Sequence, residues 1–340
     1  MKSLVSPKFA SFITSFLTDY LPLQRGLSKN TILSYRDTIK LFMKFLQQYQ
    51  AMRRRKTFSV KDLNREIVVE FLNWYRASGA SNSASNQRLA CLKTFVSFLE
   101  LENLDCIARL QAVTQIKSKK AVPREIQFLT PEQISLFINL PKTNSPFGFK
   151  HRVILTLLYD TGCRVEELCK VRLCDIALND PGTIKLHGKG KKTRAVVVSS
   201  NTINLLKIFI NKFRPKALNT DYLITNKFKA AIDRDGITYV VKKYAALARD
   251  IDHSFPENVH CHMLRHSKAM HMLEAGINII YIRDFLGHEN LSTTMVYAKT
   301  NNRVKDEVIN KLAPSLVDEE EERTDWSKDT ELLNFLANFN

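Results

Sequence analysis

The side chains best suited to chemistry in this chain are two arginines, one lysine, two histidines and one tyrosine. They are Arg164, Lys189, His262, Arg265, His288 and Tyr297. Two guanidiniums can grip a phosphate through paired hydrogen bonds, and a lysine can protonate a departing oxygen. A tyrosine hydroxyl can attack phosphorus and form a covalent phosphotyrosine. The set therefore predicts cleavage and rejoining of a nucleic-acid backbone without a metal ion.

Short stretches around these side chains carry a resemblance to a known family. They are Thr161–Leu168 (TGCRVEEL), Gly188–Arg194 (GKGKKTR), His262–His266 (HMLRH), Leu286–His288 (LGH) and Leu291–Tyr297 (LSTTMVY). In their order and spacing the chain resembles the tyrosine recombinases, also called phage-type integrases, over about residues 10–312. The resemblance is closest in the C-terminal part of the chain.

The resemblance implies a role for each member of the set. Tyr297 would be the nucleophile and would leave a 3′-phosphotyrosine and a free 5′-hydroxyl. Arg164 and Arg265 would hold the non-bridging oxygens, where negative charge grows in the transition state. Lys189 would be the general acid that protonates the leaving 5′-oxygen. Neighbouring basic residues compete for that last role, namely Lys191, Lys192 and Arg194.

The histidines and two acidic residues complete the implied site. His262 would bind the phosphate or accept the tyrosine proton, and His288 would donate to the other phosphate oxygen. Glu167 and Asp175 match acidic positions that support the site rather than react. The remaining histidines of this region, His266 and His271, are interpreted as structural.

Composition favours a polyanionic partner. The chain has 340 residues, a net charge of +17 and a hydrophobic content of 44%, and its sequence pI is about 9.6. It is long enough for two domains, and its positive charge favours a polyanionic partner. The resemblance implies that this partner is double-stranded DNA. Residues 318–340 contain eight acids and two bases, a net of −6, so the rest of the chain carries +23.

No metal, cofactor or membrane role is expected from the sequence. The six cysteines form no C-x-x-C motif and are interpreted as buried thiols of a reducing compartment. His260, Cys261 and His262 are adjacent and diverge on any regular element, which argues against a metal site. No apolar stretch is long enough to span a membrane, so we expect a cytoplasmic, nucleoid-associated protein.

The predicted fold is mainly α with a small antiparallel β-sheet, an α+β fold. The expected divisions are a helical core-binding (SAM-like) domain over 1–110, a basic linker over 111–127, a catalytic domain over 128–312 and an acidic tail over 313–340. Ser59 is predicted to begin the third helix, and Thr130–Gln133 to form a capping box. Residues 183–188 and 193–198 predict a hairpin with a lysine-rich tip.

The first domain is predicted to contact DNA through the polar faces of its helices. By resemblance, it and the catalytic domain form a C-shaped clamp around the duplex. The side-chain types suit phosphate and base-edge contacts. The expected DNA-contacting residues are Lys29, Asn30, Thr31, Ser34, Arg36, Arg88 and Lys93 here, Lys119 and Lys120 in the linker, and Lys191, Lys192 and Arg194 in the hairpin.

The C-terminal tail predicts an amphipathic helix. Its apolar stripe consists of Leu332, Leu333, Phe335, Leu336 and Phe339. The helix either packs on its own domain or docks on a neighbouring protomer. The resemblance favours docking on a neighbour, within a tetramer that holds two duplexes and exchanges strands through a Holliday junction.

Several functions remain open at this stage. The sequence of His262–His271 (HMLRHSKAMH) resembles that of recombinases that move transposons, which favours a mobile-element integrase over a chromosome-dimer resolvase. Other recombinases of the same element are possible partners. A type IB topoisomerase uses similar residues as a monomer, and a DNA-binding regulator could use an inactive recombinase scaffold. Relaxation of DNA without strand exchange would support the topoisomerase, and DNA binding without a covalent adduct would support the regulator.

Overall fold

The computed structural model describes residues 4–53, 57–121, 126–188, 192–300 and 334. The chain divides into two units, Met1–Arg124 and Glu125–Asn340. Both units are largely helical, and a three-stranded antiparallel sheet lies in the second. The predicted mainly α fold with a small antiparallel sheet is therefore confirmed. Among the described residues, no helix is long and apolar enough to cross a membrane.

Helices make up most of the first unit. They are α1 (Pro7–Ser15), a π-helix (Phe16–Gln24), α2 (Lys29–Arg53), α3 (Arg65–Ala77), α4 (Asn82–Glu102) and α5 (Ile107–Thr114). Short 3₁₀ turns lie at Val60–Asp62 and Leu104–Cys106. Ser6, Asn64 and Ser81 accept hydrogen bonds from first-turn amides of α1, α3 and α4. These caps satisfy amides that have no partner inside the helix.

Aromatic rings fill the core of the first unit. Phe9, Phe16, Phe42, Phe71 and Phe95 are fully buried. The ring centroids of Phe16 and Phe95 lie 4.9 Å apart, and those of Phe42 and Phe71 5.3 Å apart, both edge to face. Such pairs add to the stabilisation from buried area. Because the two rings of each pair come from different helices, the pairs join the π-helix to α4 and α2 to α3.

Two boundaries of the first unit differ from the sequence prediction. Ser59 begins only the 3₁₀ turn, and α3 starts at Arg65 with Asn64 as its cap. The stretch predicted to be a linker from residue 111 is helical as far as Thr114. The reason is packing, since Leu110 and Val113 on α5 are fully buried.

The second unit contains the remaining helices and the sheet. The helices are α6 (Pro131–Asn139), α7 (Pro146–Asp160), α8 (Val165–Lys170), α9 (Ser200–Phe213), α10 (Arg234–Ile251), α11 (Cys261–Glu274), α12 (Ile279–Leu286) and α13 (Leu291–Thr300). The strands are β1 (Ile176–Ala177), β2 (Gly182–His187) and β3 (Thr193–Val198). The predicted capping box begins α6, where Thr130 and Gln133 exchange backbone-to-side-chain bonds of 3.2 and 3.1 Å.

Helix α7 lies in the centre of the second unit. Val153, Ile154, Leu155 and Leu158 are fully buried, and α7 packs against α9, α10 and α11. Its last turn leads directly into residues 161–164. The buried helix therefore fixes the start of the segment that carries the first candidate catalytic arginine.

The sheet is a meander with strand order β1-β2-β3. The predicted hairpin is confirmed by the register of β2 and β3, in which Ile184 pairs with Val196 and Leu186 with Arg194. Ile184, Leu186 and Val196 face the core. The sequence prediction misses β1, which has two residues and no alternation to detect.

Candidate active site

Arg164 is presented by a tight turn between α7 and α8. Gly162 has a φ of +56°, and a Cβ atom at this position would lie 2.9 Å from Leu286 Cδ2. The Thr161 hydroxyl donates to the Leu157 carbonyl at 2.6 Å, which closes the end of α7. Arg164 is the N-cap residue of α8. Its side chain is 40% exposed and therefore available to a ligand.

Glu167 anchors two arginines beneath that turn. Its side chain is 3% exposed and accepts from Arg164 Nη1 at 2.9 Å and from Arg194 Nη2 at 2.8 Å. It also accepts from the Arg164 backbone amide at 3.0 Å. Burial alone would raise the pKa of Glu167, but the hydrogen bonds and charges of the arginines outweigh burial and lower it. Glu167 therefore supports Arg164, as the resemblance implies.

Arg194, which the sequence analysis groups with the DNA-contacting residues, lies partly buried. Its side chain is 14% exposed, and its guanidinium donates twice to Glu167, at 3.1 and 2.8 Å. Its Nε donates to the Phe285 carbonyl at 2.9 Å. These donors bond inside the protein, where Arg194 joins β3 to α8 and α12, and its contact with DNA stays a prediction.

Arg265 lies deeper in the same cluster. It is 3% exposed and donates to the carbonyls of Gly162 and Leu286, both at 2.7 Å. Burial and the nearby charges of Arg164 and Arg194 lower its pKa to about 10, so it stays positively charged at neutral pH. The arginine thus ties the turn before α8 to the end of α12.

His288 follows a left-handed glycine at the end of α12. Gly287 has a φ of +64°, and the His288 backbone amide donates a hydrogen bond to the Arg283 carbonyl at 3.0 Å. This is a helix C-cap that glycine adopts without strain. The His288 ring bonds Thr294 at 2.9 Å through Nδ1. Burial and the arginine charges lower the pKa of His288 to about 4, so the ring is neutral at physiological pH.

Tyr297 on α13 lies against the histidines. It is 2% exposed, and its ring is parallel to that of His288 with centroids 6.4 Å apart. Its hydroxyl lies 2.8 Å from Nδ1 of His266. Burial raises the pKa of Tyr297, and the charge of Arg265 partly offsets the rise. The nucleophile predicted from the sequence thus lies beside the predicted phosphate-binding arginine.

His266 is the residue of this cluster that sequence analysis underrated. It lies four positions after His262, on the same face of α11, and helical spacing was the available signal. His262 is exposed in the first turn of α11, with its ring centroid 6.4 Å from that of His266. His271 contacts Tyr159 and the Leu129 carbonyl, both at 2.9 Å, on another side of the helix.

The hairpin tip is described only in part. Lys189 and Lys191 lie outside the described residues, whereas Lys192 is exposed and donates to Glu289 at 2.8 Å. Asp175 bonds His187 at 2.9 Å, at the end of β2. Asp175 therefore supports the base of the hairpin that carries Lys189, and within the described ranges it makes no hydrogen bond to Arg164, Arg194 or Arg265.

A second buried ion pair was missed by sequence analysis. Lys268 donates to Asp160 at 3.0 Å, and Asp160 accepts from the Ser199 amide at 2.9 Å and the Thr202 hydroxyl at 2.8 Å. The network joins α7, α9 and α11. It adjoins Gly162, because the Lys268 side chain lies within van der Waals contact of a Cβ atom placed there.

The predicted DNA-contacting residues of the first unit lie on connected segments. Gln87 on α4 donates to Ser34 on α2 at 3.2 Å, and Asn86 exchanges bonds of 2.7 and 3.0 Å with the backbone of Lys119. Arg88 donates to Thr38 at 3.0 Å. The exposed members are Lys29, Asn30, Arg36, Lys119 and Lys120, and the half-buried ones are Thr31, Ser34, Arg88 and Lys93.

No group of three or more His, Cys, Asp or Glu residues within the described ranges is arranged to hold a metal ion. The cysteines among them are unpaired. The side chains around Tyr297 and the arginines are instead neutral imidazoles and cationic donors. Such a site suits a phosphodiester, whose charge the guanidiniums offset.

Comparison with protein families identifies the chain. The model of the "Phage integrase family" matches residues 127–303, and that of the "Phage integrase, N-terminal SAM-like domain" matches residues 13–103. The chain therefore belongs to the phage integrase family. The predicted membership of the tyrosine recombinases is confirmed, and with it the prediction that the chain is a site-specific recombinase enzyme.

Curated relatives agree with this assignment. The chain is 29% identical to tyrosine recombinase XerD of Halalkalibacterium halodurans over 288 residues, which cover 84% of this chain and 92% of the relative. It is 30% identical to tyrosine recombinase XerC of Staphylococcus epidermidis over 284 residues, which cover 83% of this chain and 90% of the relative.

Solved structures share the fold. A XerH site-specific recombinase bound to palindromic difH substrate has a TM-score of 0.65 at 21% identity, over 91% of this chain and 90% of that one. A variant of the Tn1549 transposon integrase in complex with circular intermediate DNA has a TM-score of 0.66 at 17% identity, over 87% of this chain and 98% of that one. At these identities the similarity supports the fold alone.

Proposed function

We propose that the chain cuts and rejoins double-stranded DNA with Tyr297 as the nucleophile. One observation carries the proposal. Arg265 bonds the carbonyls of Gly162 and Leu286, at the two segments that present Arg164 and His288, and Tyr297 lies beside this cluster. A phosphate placed between the arginines would therefore lie close to the tyrosine hydroxyl.

The proposed reaction conserves the energy of the phosphodiester. The Tyr297 oxygen bonds to phosphorus as the bond to the 5′-oxygen breaks, leaving a 3′-phosphotyrosine. Arg164 and Arg265 stabilise the charge on the non-bridging oxygens, and Lys189 protonates the 5′-oxygen. His262 and His288 donate to the phosphate. A free 5′-hydroxyl then attacks the phosphotyrosine, so rejoining needs no nucleotide cofactor.

The first unit is proposed to bind the duplex. This proposal is supported by hydrogen bonds that connect the start of α4 to α2 and to residues 119–120. The connected segments carry four exposed basic residues, Lys29, Arg36, Lys119 and Lys120. Each lysine that neutralises a phosphate releases a counterion. Replacing Lys119 and Lys120 by alanine should reduce the slope of log binding constant against log salt by about 0.9 per lost contact.

We further propose that the chain acts as a tetramer on two duplexes and moves a mobile element. The support for the mobile element is the segment His262–His271, which resembles transposon-moving recombinases. A second candidate, chromosome-dimer resolution, is favoured by the similarity to XerC and XerD. The two candidates share the chemistry and differ in the DNA site on which it acts.

Recombination between pairs of sites tests the proposal. The purified chain would be incubated with two duplexes that carry the ends of its element, or with two chromosomal dimer-resolution sites from the same source. Recombinant products from the element ends alone would support the mobile-element function, and products from the chromosomal sites alone would favour the resolvase. Relaxation of supercoiled DNA without any exchange would overturn both and favour a topoisomerase.

A further inference from the structure

The hydroxyl of Tyr297 has a described partner, and that partner is outside the set recognised from the sequence. His266 Nδ1 lies 2.8 Å from the hydroxyl oxygen, within the distance needed for direct proton transfer. Tyr297 is 2% exposed and His266 is half-buried. Bulk water is thus largely kept from the hydroxyl, and a protein group has to take its proton.

The other two histidines are less well placed for that proton. The His288 ring lies parallel to the Tyr297 ring with centroids 6.4 Å apart, whereas the described hydrogen bond of the tyrosine hydroxyl goes to His266. Nδ1 of His288 is also engaged by Thr294. His262 is exposed at the start of α11, where it can reach a bound phosphate.

We propose that His266 is the general base that takes the proton of Tyr297 during strand cleavage. The inference rests on the proposed function, in which Tyr297 is the nucleophile. It makes His266 a catalytic residue, because its ring nitrogen contacts the reacting hydroxyl. His262 then remains available to the phosphate.

The proton and electron balance is complete within the site. The O–H bond of Tyr297 breaks, its proton moves to Nδ1 of His266, and the oxygen electron pair forms the bond to phosphorus. The bond from phosphorus to the 5′-oxygen breaks, and Lys189 supplies the proton that this oxygen needs. In rejoining, Lys189 takes the proton of the attacking 5′-hydroxyl, and protonated His266 returns its proton to the departing tyrosine oxygen.

The electrostatics of the free site decide the protonation state of His266. Burial and the charges of His262, His260 and Arg265 lower the pKa of His266 to about 4, so the ring is neutral at neutral pH. In the tautomer that carries its proton on Nε2, Nδ1 accepts the hydrogen bond of the Tyr297 hydroxyl. The other titratable groups that face it are Tyr297 and His288. A bound phosphodiester offsets the charge of Arg265 and makes His266 more basic when the substrate is present.

Two substitutions separate proton transfer from mere orientation. His266→Asn retains an acceptor oxygen near the position of Nδ1 but cannot carry the proton. His266→Ala removes the ring and leaves space for free imidazole. General-base catalysis contributes roughly 100- to 10,000-fold. We expect both variants to lose cleavage by about that factor at pH 7.5, and imidazole to restore His266→Ala in a concentration-dependent way.

The assay is single-turnover formation of the covalent adduct on a nicked duplex that carries the element end. Wild type and Tyr297→Phe define the proposed function, since an absent wild-type adduct would reject that function before His266 is considered. His253→Ala, an exposed histidine outside the site, controls for imidazole effects, and gel shifts and thermal unfolding check that each variant binds and folds.

The outcomes are decisive once the wild type forms its adduct. Slow cleavage by His266→Asn together with imidazole rescue of His266→Ala supports the general base. Near-wild-type cleavage by His266→Asn would overturn it, because orientation alone would then suffice. Failure of imidazole to restore a folded, DNA-binding His266→Ala would overturn it as well.

Discussion

Replacing Glu167 by glutamine tests how the arginines are held. The carboxylate is 3% exposed and accepts from Arg164 and Arg194 at both oxygens. An amide of the same shape has one acceptor oxygen, so its nitrogen must face an N–H donor in either orientation. Removing one partner of a buried ion pair costs about 3–5 kcal/mol. For a unit of this size, we expect Tm to fall by roughly 6–20 °C.

The assay is thermal unfolding of the full chain at pH 7.5, with cleavage rate measured in parallel. Cleavage should fall about 100-fold, because Arg164 shifts from its position. Glu166→Gln is the matched control, since Glu166 is the exposed neighbour on the same helix, and its effect should stay within about 1 kcal/mol. A Glu167→Gln protein as stable and active as Glu166→Gln would refute the reasoning.

The same variant carries a pH signature. The folded pKa of Glu167 is lowered below its ordinary value of 4.5. Its contribution to stability is therefore present above that value and is lost as the pH falls through the folded pKa. Unfolding of the wild type followed from pH 7 to pH 3 should contain an acid-dependent component that Glu167→Gln lacks.

Three further outcomes are expected. In a double-mutant cycle of Asp160→Asn and Lys268→Met, the double variant should lose less unfolding free energy than the two single variants added together, by about 1–3 kcal/mol. Additive losses would contradict the ion pair. Gly162→Ala should lower the free energy of unfolding by about 2 kcal/mol or more and slow cleavage, since the φ of Gly162 and the approach of Leu286 exclude a Cβ. Unchanged unfolding and cleavage would argue against this steric restriction. The pKa of His288 is lowered from 6.5 to about 4, so its stability contribution is complete above pH 6.5 and is lost towards pH 4. Between pH 6.5 and pH 4 the free energy of unfolding should therefore fall less steeply with pH in His288→Gln than in the wild type. An equal pH dependence in both proteins would exclude the contribution of His288.

The sequence predicted features that local signals specify. The capping box at Thr130 and the hairpin of β2 and β3 depend on short patterns, and both are confirmed. Ser59 misled the placement of α3, because a serine followed three residues later by Asp62 caps a 3₁₀ turn as readily as a helix. The true cap, Asn64, lies just before the first turn that α3 buries.

The tertiary partners of charged and titratable residues could not be read from the sequence. Arg194 lies in a lysine-rich stretch typical of DNA contacts, yet its partner Glu167 is 27 positions away. His266 and Tyr297 are 31 positions apart, and Asp160 and Lys268 are 108 apart. Such pairs depend on how β3 packs against α8 and on how α7, α11 and α13 pack, which periodicity along one element does not encode.

Covalent trapping tests the central claim most directly. A nicked suicide substrate carrying the element end would be incubated with wild type and with Tyr297→Phe, and the products separated before and after protease treatment. We predict a 3′-linked, protease-sensitive adduct with the wild type and none with Tyr297→Phe. An adduct that persists in Tyr297→Phe, or bound wild type that forms none on a verified site, would contradict the account.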